Sequence, residues 1–309
     1  MDFGVTPLDG LPLPPRVTIC EVGPRDGLQN ESTILPFGVK AEFVHRLVDA
    51  GNTVVEAASF ENPVWVPQLA DADDLLRAIT PASGVRYPVL VPDERGLDRA
   101  LDLGVTDIAV LGCVAATFPR CNPHRSVREP FEMLAPVVAR AREAGLGVRG
   151  HLSGCFGDPW DGRVSTSQVV AAATTMKTVG CTELSLGDTI GVATPGQVAA
   201  VLDALVAAGI GIDEIAVHFH DTYGQALANA LTALRRGVTT FDASAGGVGG
   251  CPYTGSATGN LATEDLLWQL HGLGIDTGID LQRMVDTSTW LAERLGRPSP
   301  SRTVTALTS

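Results

Sequence analysis

The chain has 309 residues, 45% of them hydrophobic, which is enough for one large core. Its formal net charge is −13, with only two lysines, Lys40 and Lys177, so its surface repels nucleic acid and anionic membranes. No run of 18 or more apolar residues is present to span a bilayer.

Met1 to Pro15 is proline-rich, carries Asp2 and Asp9 and has no basic n-region, so it reads as an irregular lead-in and not as a secretory signal. From residue 16 onward, short runs rich in β-branched residues recur at 16–22, 53–59, 85–91, 107–113, 147–153, 182–186, 214–220 and 239–243. Stretches of helical period lie between them, among them 39–50, 70–79, 131–144, 166–179, 194–208 and 225–236. Gly51, Gly104, Gly145, Gly180, Gly209 and Gly237 each follow a helical stretch, where a left-handed cap is expected. Eight strand–helix alternations predict a closed parallel α/β barrel, the (β/α)8 or TIM fold. The competing architecture, an open doubly wound sheet, is weakened as a dinucleotide binder because no G-x-G-x-x-G follows the first strand. Two further helices, 263–271 and 281–295, make a small C-terminal extension to one catalytic domain, 16–296. The polar tail, 297–309, is expected to lack regular structure. Six cysteines do not form a disulfide framework in a chain this long; Cys20, Cys113, Cys155 and Cys181 are expected as buried thiols, with the reducing cytoplasm as their location.

In such a barrel, catalytic groups gather where strands end. Arg25 and Asp26 follow the first run, Glu56 interrupts the second, Asp188 ends the sixth, and His218 and His220 end the seventh. A glycine-rich stretch with Cys251 and Asn260 follows the eighth. Residues two apart on a strand share a face, so the two histidines point the same way. With Asp26 and Asn260 they form a set of two nitrogens and two oxygens that suits Mg²⁺ or Mn²⁺, and zinc is also admissible. Each residue has a blander reading: a surface ion pair, a salt-bridged core acid, a helix cap, two hydrogen-bonded histidines, an incidental thiol. Glu56 is the hardest to explain away, because a buried carboxylate is costly unless paired, and Arg25 is its expected partner.

The runs Gly23-Pro24-Arg25-Asp26-Gly27-Leu28-Gln29-Asn30-Glu31, Ser185-Leu186-Gly187-Asp188-Thr189-Ile190-Gly191 and His218-Phe219-His220-Asp221-Thr222-Tyr223-Gly224-Gln225-Ala226 resemble the 3-hydroxy-3-methylglutaryl-CoA lyase family. So do Gly249-Gly250-Cys251-Pro252-Tyr253 and Ala257-Thr258-Gly259-Asn260-Leu261-Ala262-Thr263-Glu264-Asp265. The resemblance implies cleavage of a 3-hydroxy-acyl-CoA to acetyl-CoA and a 3-oxo acid, acetoacetate for the family's own substrate. It implies a divalent metal on Asp26, His218, His220 and Asn260. Arg25 would stabilise the enolate, and Glu56 would complete an Arg–Asp–Glu signature. Asp188 and Cys251 match further catalytic positions, Cys251 as the group that protonates the acetyl carbanion. The initial base stays open among Asp26, His218 and a metal-bound hydroxide. An acyl-CoA substrate and a homodimer are the expected partners. Phe219, His151, His124 and Arg125 depart from the family pattern. Phe219 is expected to point away from the site, and the others imply an altered acyl pocket. Arg120, Arg125 and Arg163 are candidates for CoA phosphate contacts.

Rival readings are a condensing enzyme of the isopropylmalate-synthase type, a metal-dependent hydrolase and a non-catalytic metal-binding scaffold. Leu28 in the first motif, where synthases carry glutamate, and Cys251 on its glycine loop favour the lyase.

Overall fold

In a computed structural model, which describes residues 4–6, 13–114, 128–250 and 259–309, the alternation read from the sequence becomes a parallel barrel ringed by helices. In chain order the elements are β1 Thr18–Glu21, α1 Phe37–Asp49, β2 Val54–Val55, β3 Ala58–Ser59, α2 Ala72–Ala78, β4 Val89–Leu90 and α3 Glu94–Asp102. Then come β5 Asp107–Cys113, α4 Arg128–Glu143, β6 Gly147–Ser153, α5 Thr166–Val179, β7 Glu183–Gly187, α6 Pro195–Ala207, β8 Ile215–His218, α7 Ala226–Leu234 and β9 Thr240–Ala243. Helices α8 Thr263–Gly272, α9 Leu281–Leu295 and α10 Arg302–Thr308 complete the chain.

The strand order is β2-β1-β9-β8-β7-β6-β5-β4-β3, with every pair parallel. Because β2 and β3 are the two ends of one stretch, the order returns to its starting segment and the sheet closes as the expected TIM barrel. Glu56 and Ala57 sit at the division. Glu56 N donates to Glu21 O at 2.9 Å on one side, and Ala57 N to Pro88 O at 3.0 Å on the other. The second strand is thus shared between two neighbours, which directs Glu56 into the barrel mouth.

Local chemistry explains the sharpest boundaries. Ser165 and Gln168 form a capping box at the start of α5, and Gly180 closes it at φ +112°. Gly51 ends the α1 region at φ +105°, where a Cβ would lie 2.2 Å from Gly278 O. Val55, Val110, Leu152, Leu186 and Val217 face outward and form the core beneath the helices, while Cys20, Arg149, His151, Ser185 and Asp242 alternate with their strand neighbours and face the barrel interior. Among the described residues, no helix is long and apolar enough to cross a membrane.

Two expectations are corrected. The tail is ordered: Ser301 caps α10 by accepting Val304 N–H at 3.1 Å, while Asp265 accepts Ser301 Oγ and Thr303 N, both at 2.8 Å. A polar sequence here serves capping and not solvation. Cys20, Cys155 and Cys181 are free and buried as expected, but Cys113 is disulfide-bonded.

Candidate active site

Asp26 is delivered by a tight turn that prolongs β1. Residues Gly23–Gly27 form one π-helical turn in which Val22 O accepts Asp26 N at 2.8 Å and Gly27 N at 3.1 Å. Glycine is required at its end: a Cβ on Gly27 would lie 2.7 Å from the Val248 side chain. The turn aims two neighbouring side chains into the mouth. Arg25 NH1 donates to Asp26 Oδ1 at 3.0 Å, and its NH2 donates to Glu56 Oε2 at 2.9 Å. Glu56 Oε1 lies 3.2 Å from His151 Nε2. Burial pushes the Glu56 carboxyl up, but Arg25 and His151 outweigh it and hold it at about 2. The same contest leaves Asp26 well below the usual carboxylate range, with Arg25, then His218 and His220, overcoming burial.

The two histidines meet as their spacing implies. His218 Nε2 and His220 Nε2 are 3.1 Å apart, and His218 Nε2 is 3.8 Å from Asp26 Oδ2. One donor atom from each of Asp26, His218 and His220 lies within 4.8 Å of the others. Bonds of about 2.1 Å set at right angles place two donors about 3.0 Å apart, so the histidine spacing fits a shared cation. Burial, then the neighbouring His218, lowers the His220 pKa to about 3, which keeps its ring neutral and able to donate a lone pair. His220 Nδ1 is buried with no hydrogen-bond partner among the described residues. Asn260 is pinned opposite His220 by backbone pairing, with Asp221 N on Gly259 O at 2.7 Å and Leu261 N on Phe219 O at 3.0 Å. Its Nδ2 donates to Asp26 Oδ2 at 2.9 Å and Val248 O at 3.1 Å, which leaves Oδ1 as the atom it can offer a cation. The donor set therefore fits a divalent metal.

The HMGL-like family model matches residues 16–291. The chain belongs to the HMGL-like family. It is 46% identical over 294 residues to the mitochondrial hydroxymethylglutaryl-CoA lyase of Mus musculus, covering 95% of this chain and 90% of the relative. A crystal structure of the Bacillus subtilis HMG-CoA lyase superposes with a TM-score of 0.94 at 42% identity, covering 97% of this chain and 100% of that one. An HMG-CoA lyase from Acinetobacter baumannii, solved with coenzyme A and 3-methylmalate, gives 0.89 at 31% identity over 94% of this chain and 95% of its own.

Within this HMGL-like site Asp188 stands apart. Its carboxylate accepts Val192 N at 2.9 Å and Ala193 N at 3.1 Å, so its oxygens are committed to the loop it begins. Its own N–H donates to His218 O at 2.8 Å, which keeps it on the same rim. Burial raises its carboxyl to about 7 against those backbone donors. Phe219 turns away and packs on Phe156, with ring centroids 6.0 Å apart. Arg163 is exposed. Cys251, Arg120, His124 and Arg125 lie outside the described residues.

Asp242 and Arg149, which sequence reasoning passed over, support the site together with Ser185 and Glu183. Asp242 Oδ2 lies 3.3 Å from His218 Nδ1 and accepts Ser185 Oγ at 2.7 Å. Its Oδ1 accepts Arg149 NH2 at 2.5 Å, and Arg149 pairs with Glu183 at 2.7 Å. Burial raises the Asp242 carboxyl, but Arg149 and then His218 hold it well below the ordinary range. Burial works against a proton on His218, yet Asp242 and Asp26 raise its pKa. Asp242 and Arg149 interrupt apolar strands as Glu56 does, so the same signal would have found them.

Proposed function

We propose that this chain cleaves 3-hydroxy-3-methylglutaryl-CoA to acetyl-CoA and acetoacetate. What carries the reading is the convergence of Asp26, His218 and His220 within 4.8 Å, beside an Arg25 guanidinium braced by Glu56, in a chain of this family. Asp26, His218, His220 and Asn260 are the residues that would hold the metal, Mg²⁺ or Mn²⁺ by its hard oxygen donors. Bound there, the cation would lower the pKa of the substrate hydroxyl.

Loss of that hydroxyl proton lets the C2–C3 bond break. C3 becomes the ketone of acetoacetate, and the bonding electrons pass to C2 and the thioester oxygen as the enolate of acetyl-CoA. Arg25 faces this charge: two of its nitrogens are fixed by Asp26 and Glu56, and its buried Nε has no hydrogen-bond partner among the described residues. Cys251, next in sequence to Gly250, is assigned to protonate C2. An acyl-CoA substrate, a homodimer and a cytoplasmic location belong to the same proposal. The test is acetyl-CoA release from 3-hydroxy-3-methylglutaryl-CoA with Mg²⁺ or Mn²⁺, and its loss on chelation. If acetyl-CoA is not released, and free thiol appears instead from acetyl-CoA plus a 2-oxo acid, the proposal falls and the condensing reading replaces it.

A further inference from the structure

We propose that Glu31, gripped by Arg297, is a positioning residue for the glycine loop leading into Cys251, and that segment 297–301 is a strap holding that loop against the metal-ligand turn. The catalytic part of this role rests on the lyase reading above.

The loop itself is short of anchors. From Gly246 to Gly250 its one side chain beyond hydrogen is Val248, so anchorage has to come from elsewhere. Arg297 Nε donates to Glu31 Oε2 at 3.0 Å, and its NH2 group donates to Oε1, a two-point grip between residues 266 apart in sequence. Glu31 Oε1 accepts Gly249 N–H at 3.4 Å, and the adjacent Asn30 donates Nδ2 to Gly250 O at 2.7 Å. At the start of the loop, Ser299 Oγ donates to Gly246 O at 3.0 Å and Ser301 N to the same oxygen at 3.2 Å. Gly246 N donates onward to Glu264 Oε2 at 2.8 Å. The strap therefore fixes both ends of the described loop. A Cβ on Gly249 would lie 2.6 Å from Asn260 Nδ2 and 3.1 Å from Gly27 Cα, so the loop has no slack above the cluster. An ion pair whose arginine is one-third exposed adds little to global stability; its effect belongs in the placement of what it touches.

The experiment compares Arg297→Gln, Arg297→Lys and Arg294→Gln in the full-length, metal-loaded protein. Arg294 lies in the last turn of α9, three residues before Arg297, stacked on Trp290 at 4.0 Å, and serves as the control. Two quantities are read: kcat and KM for acetyl-CoA release, and the rate of iodoacetamide alkylation at the Cys251 peptide by mass spectrometry. Arg297→Gln is expected to lower kcat about tenfold with KM within about twofold, and to speed alkylation. Arg297→Lys, which keeps the charge without the fork, falls between it and the parent. Arg294→Gln matches the parent in both. Parental kcat and alkylation in Arg297→Gln would overturn the strap, as would equal shifts in Arg294→Gln. Alkylation needs no substrate, so it tests the strap even if the parent releases no acetyl-CoA, an outcome that would remove the lyase reading alone.

Discussion

His218 is held at both ring nitrogens, and the two partners do different work. Asp242, fixed in turn by Arg149 and Ser185, takes Nδ1 and so turns Nε2 toward His220 and Asp26. The Asp242→Asn variant keeps the shape but loses the charge that orients the ring. Its affinity for Mn²⁺, measured by calorimetry, is expected to fall about 10- to 100-fold with the fold intact; undiminished affinity would show that Asp242 does not orient the ligand. At this scale the sequence was informative wherever a charged residue broke an apolar strand. Glu56 was singled out that way and pairs with Arg25 as expected. Asp242 breaks its strand too, but it touches His218 from a neighbouring strand, and no local pattern names that partner. Asp188 shows the converse. Its place in a motif marks it, yet its oxygens are spent on its own loop.

Among the elements, the turns after β1 and β9 decide the geometry, and they interlock through glycines. Gly249 has φ +108°, and a Cβ there would meet Asn260 Nδ2 at 2.6 Å. Gly209, at φ +87°, has nothing within 4 Å of its would-be Cβ. Both alanine variants are strained by backbone, by about 1–2 kcal/mol. Gly249→Ala alone is expected to weaken Mn²⁺ binding as well, because it displaces a proposed ligand. Urea unfolding and metal titration of the two variants separate these effects; equal metal affinity would break the proposed coupling of loop to ligand. The strand–helix alternation was readable in advance because burial imposes periods of two and 3.6. The division of the second strand into β2 and β3 was not, since it arises when one stretch bonds to two neighbours. Nor was the order of the tail, whose cap reaches Asp265 and whose Arg297 reaches Glu31 from far along the chain.

The whole molecule carries a pH signature from acids buried around the loop. Burial raises Glu21 to about 7, against bonds from Thr263, Ala245 and Gly23. It raises Glu264 to about 8, against Ser288 and Gly246, with Glu21 adding to the rise. A carboxyl whose folded pKa exceeds its unfolded value stabilises fully below the unfolded value, about 4.3, and loses that contribution as pH climbs through the folded one. Glu56, held at about 2, works the other way: its contribution is present above the unfolded value and is lost as pH falls through about 2. The metal-free protein is therefore expected to show a lower urea midpoint at pH 8.5 than at pH 6, and Glu264→Gln a smaller drop. An equal drop in that variant would remove Glu264 from the account.

By itself the sequence determined the barrel, the rim on which its chemistry lies and the family to which the chain belongs, because periodicity, caps and contiguous motifs are local properties. Only the tertiary structure decided which charges share a hydrogen bond, Asp242 with His218 or Arg297 with Glu31. Those pairs meet because neighbouring strands pair and because α9 runs back along α1, so that the chain beyond it reaches the rim near Thr33 and Glu31.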